Sequence, residues 1–215
     1  MITLDVVDGI EYGLLEGGEL AATASLLAEA FSLYDPPAVA VGLSSTQVDG
    51  LVRALGDKAV REQLSVVART ASSDDLVGAL LVEDFGTPPP DALESVAPSF
   101  EPIGALLDGL DAQYRESRNI APGAYLHLFM VGVSNNFAGR GIAHHLITTC
   151  LANGRGRGYR FAVTEATGSV PQHVFRKLGF HDVLAASYKD FRFKGQPVFS
   201  SIVSPEATIL MKRGL

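Results

Sequence analysis

The chain has 215 residues, 47% of them hydrophobic and 19% charged, with a formal charge of −7 at neutral pH. This apolar content excludes a disordered chain, and no apolar run reaches the ~18 residues of a membrane-spanning helix. Recognition of phosphate backbones requires clustered Lys and Arg, so the acidic balance excludes nucleic acid as a partner and mildly favours a cationic one.

The first segment, Ile2 to Leu15, reads as a strand. Its acidic start (Asp5, Asp8, Glu11) lacks the basic and apolar stretches of a signal peptide, which predicts a cytoplasmic protein with no membrane attachment. After Gly17 and Gly18, Leu20, Ala24, Leu27 and Phe31 recur at helical spacing, and Asp35-Pro36-Pro37 ends that helix. A second helix is predicted from near Ser45, with Thr46 and Asp49 as a weak capping box, toward Leu64. The runs LSVVART and DLVGALLVEDF, separated by polar Ala71 to Asp74, predict a hairpin. Its terminal acids Glu83 and Asp84 are placed to attract a cationic amine or simply to be solvated.

Residues 87–122 read as a helical insertion, since TPPPD breaks structure and Ile103 to Tyr114 is amphipathic. LHLFMVGV (Leu126 to Val133) is apolar enough for a central strand. A helix is predicted from Ile142 to Asn153, with Gly154 as its stop. The only cysteine, Cys150, shares the apolar spacing of Leu146, Ile147 and Leu151, so it reads as a small buried hydrophobe. FAVTEA (Phe161 to Ala166) predicts another strand and Val170 to Phe180 a short helix. The tail, with YKDFRFKGQPVF and TILMKRGL around a Gly195-Gln196-Pro197 turn, predicts two closing antiparallel strands. Together these elements predict one α/β domain over 1–215, with a sheet of mixed direction and helices on both faces.

The stretch VGVSNNFAGRGIA (Val131 to Ala143) carries the chemistry. A strand, a short polar turn, two glycines and a helix start follow in that order. The first turn of a helix presents amides without carbonyl partners at the positive end of its dipole, where anions bind. The Walker loop is excluded, because no Gly-x-x-x-x-Gly-Lys-Ser/Thr occurs. A dinucleotide fingerprint is excluded because His144 stands three residues after Gly141.

What does match is Q/R-x-x-G-x-G/A, read from Ala138 through Gly141 to Ala143. This resembles the coenzyme A loop of the GNAT superfamily of N-acetyltransferases, and VPQHVFRKLGF (Val170 to Phe180) resembles the superfamily's second motif. The resemblance covers residues 125–183 well and the rest more loosely. It implies a mostly antiparallel, twisted sheet whose central strands, Leu126 to Val133 and Phe161 to Thr164, splay apart. It further implies acetyl-coenzyme A as acyl donor, bound by Val131, Val133, Ala138, Gly139, Arg140, Gly141, Ile142 and Ala143. Gln or Arg is usual at the place of Ala138, and Arg140 can replace some of the lost charge. The reaction implied is direct attack of an amine on the thioester in a ternary complex.

Three residues are candidates for proton transfer. A lysine-like amine of pKa about 10.4 is only ~0.04% neutral at pH 7, so a base or a water chain must take its proton. FSLYDPPAVAVG resembles the segment of insect-type arylalkylamine N-acetyltransferases in which an acid before Pro serves as base, and Asp35 matches that acid. His127 matches the first histidine of a His-x-His pair in vertebrate-type relatives, with Phe129 at the second; the other reading is a satisfied interior histidine. Tyr188 lies in a segment resembling the Tyr-rich region after the second motif, where cross-strand packing is the competing role.

Two departures affect the mechanism: Phe175 stands where many relatives have a thiolate-protonating Tyr, and Gly168 where an Asn is common. Adjacent His144 and His145 diverge by about 100° on a helix and form no chelate, so no metal is expected. The acceptor implied is a small primary amine. A peptide or protein amine, or an acyl-coenzyme A binding module with little catalysis, are the alternatives, and a homodimer is compatible with the sequence.

Overall fold

A computed structural model describes residues 2–96 and 98–215. The chain opens with a hairpin, not one strand: β1 (Thr3–Val7) and β2 (Ile10–Leu14) pair antiparallel across Asp8-Gly9. Both turn residues have positive φ, 51° and 76°, the conformation a two-residue hairpin loop requires and Asp-Gly accepts. Then come α1 (Leu20–Tyr34), α2 (Pro36–Val41) and α3 (Ser45–Glu62). The short α2 was not anticipated: Asp35 ends α1 but also caps α2, its carboxylate accepting from the Ala38 amide at 3.0 Å. The box capping α3 is formed by Ser44 and Gln47, two residues earlier than Thr46 and Asp49 implied, because Ser44 keeps extended dihedrals and so can receive the Gln47 amide.

β3 (Val66–Thr70) and β4 (Leu76–Asp84) form the expected hairpin. They are followed by α4 (Glu101–Arg115), β5 (Tyr125–Val133) and α5 (Ile142–Gly156). Gly154 lies inside α5 rather than ending it. A Cβ there would come 2.4 Å from Leu126 Cδ1, so this glycine lets the helix lie on β5, and the left-handed residue past the helix end is Gly158. β6 (Phe161–Ala166), α6 (Ser169–Lys177), β7 (His181–Ser187) and β8 (Ala207–Gly214) complete the chain. Tyr188 to Phe199, expected as a strand, is a series of turns with one bridge, Phe193 to Gln196. The strand that pairs with β8 is β7, just upstream.

All eight strands join one sheet in the order β1-β2-β3-β4-β5-β6-β8-β7, antiparallel at every junction except β5–β6. On one face α1 and α3 pack Leu27 and Val52 against Val67, Leu81 and Met130, and α4 continues the layer over Val163 and Leu210. On the other, Leu146 and Cys150 of α5 and Phe175 of α6 cover Leu80, Leu128 and Met211. No helix of the described residues is long and apolar enough to cross a membrane.

Two features place the site. β5 and β6 pair only at Tyr125–Phe161, Leu126–Ala162 and His127–Val163. Beyond His127, β5 stays on β4 through Val133 while β6 follows β8 to Ala166, so the sheet opens into a V. Just past the vertex, Leu81 faces Met130 and Val82 faces Leu128, which leaves Phe129 as an extra residue on β5. Such a bulge bends its strand and sharpens its twist at the point where β5 and β6 part.

Candidate active site

A cavity of about 1390 Å³ follows the V between α1, α4, α6 and the parted strands. Its two ends are made differently. At one end, β5 runs through a 3-10 turn (Asn135–Phe137) into the loop and α5. Gly139 and Gly141 have φ of 76° and 77°, a conformation that costs glycine nothing. The turn consumes the amides of Phe137 and Ala138 on Ser134 and Asn135 carbonyls. Among the described residues, those of Gly139, Arg140, Gly141, Ile142 and Ala143 have no acceptor. A Cβ on Gly139 would meet nothing within 4 Å and one on Gly141 only His145, at 3.9 Å. The loop is therefore open beside five amides without an acceptor at a helix start, a setting that can receive a phosphate. The Arg140 guanidinium rests 4.8 Å above the Phe137 ring, beside this opening.

Along the V, Val131 and Val133 line the cavity with Ala143, Val174 and Phe175. Alternate residues of an antiparallel strand turn their amides and carbonyls away from the partner. Beyond His127, those of β5 face the gap in place of β6, so an extended ligand can pair with them as a strand would. These groups fit the diphosphate and pantetheine arm of coenzyme A.

The opposite end is built from charged side chains. His127, 8% exposed, sits at the vertex between two carboxylates: Nδ1 is 3.0 Å from Glu83 Oε1 and Nε2 2.6 Å from Glu165 Oε2. Glu83 is also paired with Lys58 Nζ at 2.6 Å. Burial alone would lower the imidazole pKa, but the charge and hydrogen bond of Glu165, followed by those of Glu83, lift it well above its ordinary value. A carboxylate on each ring nitrogen thus favours the protonated form of His127. Glu83 and Glu165, despite burial, are held below the usual carboxylate range by His127, aided by Lys58 and Asp111 respectively. Asp111 of α4 faces Glu165, and burial together with that neighbouring charge pushes it up to about 8. Asp111, His127 and Glu165 bring ligand atoms within 4.8 Å of one another. A metal could bind there only by displacing a ring proton, since a ring protonated on both nitrogens offers no lone pair.

Asp35 lines the cavity at the start of α2. Beyond its capping bond it accepts from Thr167 Oγ1. Burial raises its pKa, and these two bonds oppose the rise. Tyr188 is fully buried outside the cavity lining, donating to the Thr167 carbonyl at 2.6 Å and accepting from Thr208 at 2.8 Å. Thr167 therefore links two of the three candidates, while His127 belongs to the separate ionic group. Glu83 and Asp84 divide: Glu83 joins that group, whereas Asp84 accepts from the amides of Gly86 and Gly123 and only braces a loop. Sequence reasoning missed Lys58, Asp111 and Glu165. A lone charge in the apolar strand FAVTEA and a lysine on the apolar face of α3 were the available signals.

A parted sheet with an open glycine loop at the strand-to-helix junction defines the class: an α/β fold of the GNAT type. The sequence model of the Acetyltransferase (GNAT) family matches residues 60–180, and the chain belongs to that family. The C-terminal condensation domain of Ebony, solved with beta-alanyl-dopamine, is similar over 96% of this chain and 99% of its own, with a TM-score of 0.88 at 15% identity. Arylalkylamine N-acetyltransferase 2 from Aedes aegypti matches over 96% and 99%, at 0.80 and 19%. The Drosophila melanogaster polyamine N-acetyltransferase, which forms N-acetylagmatine, matches over 96% and 99%, at 0.72 and 18%. No curated protein matches the chain by sequence.

Proposed function

We propose that this protein is an N-acetyltransferase that moves the acetyl group of acetyl-coenzyme A to the primary amine of a small molecule, by direct attack in a ternary complex. The observation that carries the reading is the parting of β5 from β6 immediately upstream of a loop with unspent amides. Solved structures of similar fold that act on arylalkylamines and agmatine support the acceptor class. The cavity is in keeping with it, because α4 and Phe85 line the acceptor end and narrow the space for a small molecule.

In this reading the amides of Gly139 to Ala143, with Arg140 beside them, hold the diphosphate, and Val131 and Val133 hold the pantetheine arm by main-chain contacts. A β5 amide facing the gap donates to the oxygen on which charge develops, fixed before the reaction starts. Asp35 takes the proton of the amine. Its two hydrogen bonds fix its orientation, and its raised pKa brings its basicity toward that of a useful base at neutral pH. Tyr188 acts through Thr167 as a positioning residue, and His127 keeps Glu83 and Glu165 ionised. Phe175, which lines the cavity, donates no proton; the thiolate leaves unaided because a thiol of pKa about 8.5 is a tolerable leaving group.

The test is an acceptor screen with acetyl-coenzyme A, following free thiol and acetylated product together. Amine-dependent thiol release is expected. Tight cofactor binding with no release by any amine would instead make the protein an acyl-coenzyme A binding module.

A further inference from the structure

Besides the cofactor loop and the ionic vertex, the cavity has a third region, and it is apolar. Val48, Leu51 and Leu55 of α3 line it together with Val96, Phe100 and Ile103 of the insertion. None of these side chains carries a polar atom, and Leu51, Phe100 and Ile103 are only half-buried although they line the cavity. Apolar surface left facing such a space forfeits both its transfer from water and its packing contacts.

Helix α4 fixes where this region lies. Gly104, Leu107, Asp108 and Asp111 fall at intervals of three and four residues, so they share one face of the helix, and all four line the cavity. Seven residues of helix separate Gly104 from Asp111, about 10 Å along the axis, so the apolar region stands apart from the ionic one. Gly104 marks it. Inside a helix glycine is less favourable than alanine, and packing within the protein does not require it here, because a Cβ at Gly104 would meet nothing within 4 Å. Gly56 of α3 differs, since its Cβ would come 2.4 Å from Leu20 Cδ2. What the bare position at Gly104 keeps clear is cavity space.

We infer that this region holds the hydrocarbon tail of an acyl group longer than acetyl, so that the preferred donor is a medium-chain acyl-coenzyme A. The inference rests on the acetyltransferase reading and changes only the length of the group moved. In that reading the thioester lies where β5 parts from β6. Phe129, the extra residue at that point, packs on the same apolar cluster as Phe100 and Ile103, so an apolar wall leads from the thioester into the region. The acceptor nitrogen is placed from the other strand: Asp35 is held by Thr167, just past the end of β6. A tail on the thioester carbon is thus the part of the reactants that the β5 side guides into the apolar space. The transfer itself is unaltered. The amine nitrogen bonds to the acyl carbon, the carbon–sulfur bond breaks with its electron pair leaving on sulfur, and Asp35 takes the amine proton.

Calorimetric titration of the wild-type protein with acetyl- and hexanoyl-coenzyme A, followed by thiol release from each in the presence of a panel of amines, separates the claims. Each methylene taken from water strengthens binding by up to about fourfold, so hexanoyl-coenzyme A should bind about tenfold or more tightly than acetyl-coenzyme A. Gly104→Leu fills the space with a better helix former and should erase that difference. Equal or weaker binding of hexanoyl-coenzyme A by the wild-type protein overturns the inference, and so does a preference that survives Gly104→Leu. Amine-dependent release from acetyl-coenzyme A with no gain for hexanoyl would sink the inference and leave the acetyltransferase reading standing. A hexanoyl preference without amine-dependent release from either donor would leave the chain pocket standing and sink that reading.

Discussion

The two ends of the cavity contrast in material. The cofactor end is backbone: five unspent amides, two glycines in the left-handed region and a strand edge without its neighbour. The acceptor end is side chain: Lys58, Glu83, Asp111, His127 and Glu165 converge from five elements onto one ionic network. Backbone donors are supplied by any residue with an N–H, so that end tolerates Ala138 where a charged side chain is usual. The ionic end tolerates little, because removal of one member leaves another charge buried without compensation.

Substitutions at both ends can break this contrast. Asp35→Asn should have the largest effect, lowering turnover at neutral pH by about 10²–10⁴-fold with acetyl-coenzyme A affinity nearly unchanged; steady-state kinetics beside a binding titration would show it, and unaltered turnover would remove Asp35 from the mechanism. His127→Ala strands Glu83 and Glu165, and urea unfolding should show a loss of about 3–5 kcal/mol. The same network predicts a pH dependence. The imidazole pKa is raised on folding, so its contribution is full below its unfolded value near 6.5 and is lost as pH rises through the folded value. Asp111, raised to about 8, acts in the same direction. The melting temperature should therefore decline on the alkaline side, and a flat profile up to about pH 9 would contradict a cationic His127.

Gly141→Val probes the other end. At a φ of 77° a β-branched residue is strained by about 1–3 kcal/mol, although the space ahead is open. Relief of that strain moves the amides, so acetyl-coenzyme A binding should weaken about tenfold or more by calorimetry. Normal affinity would refute the loop assignment. The smallest effect expected is a gain: Ala138→Arg adds a charge near the diphosphate, worth about 0.3–1 kcal/mol, and the gain should vanish in high salt.

The same contrast explains what was legible before any coordinates. Strand, turn, glycine pair and helix are contiguous in VGVSNNFAGRGIA, so one short window contains the whole loop proposed to hold the cofactor. The hairpin of β3 and β4 and the helix α4 could also be read, because each depends on local periodicity. Where reading failed, a distant contact had intervened. Gly154 resembles a helix stop, yet it sits within α5 because Leu126 needs the space of its missing side chain. Tyr188 to Phe199 alternates like a strand, but β8 takes β7 as its neighbour and leaves that segment in turns.

By itself, then, the sequence determined most of the elements, the class of sheet and the strand-to-helix glycine loop, since each arises largely from interactions within a few residues. Only the tertiary structure decided the electrostatics of the acceptor end. The charge state of His127 depends on Glu83 and Glu165, 44 and 38 residues away in the chain, which meet the ring only when β4, β5 and β6 lie side by side.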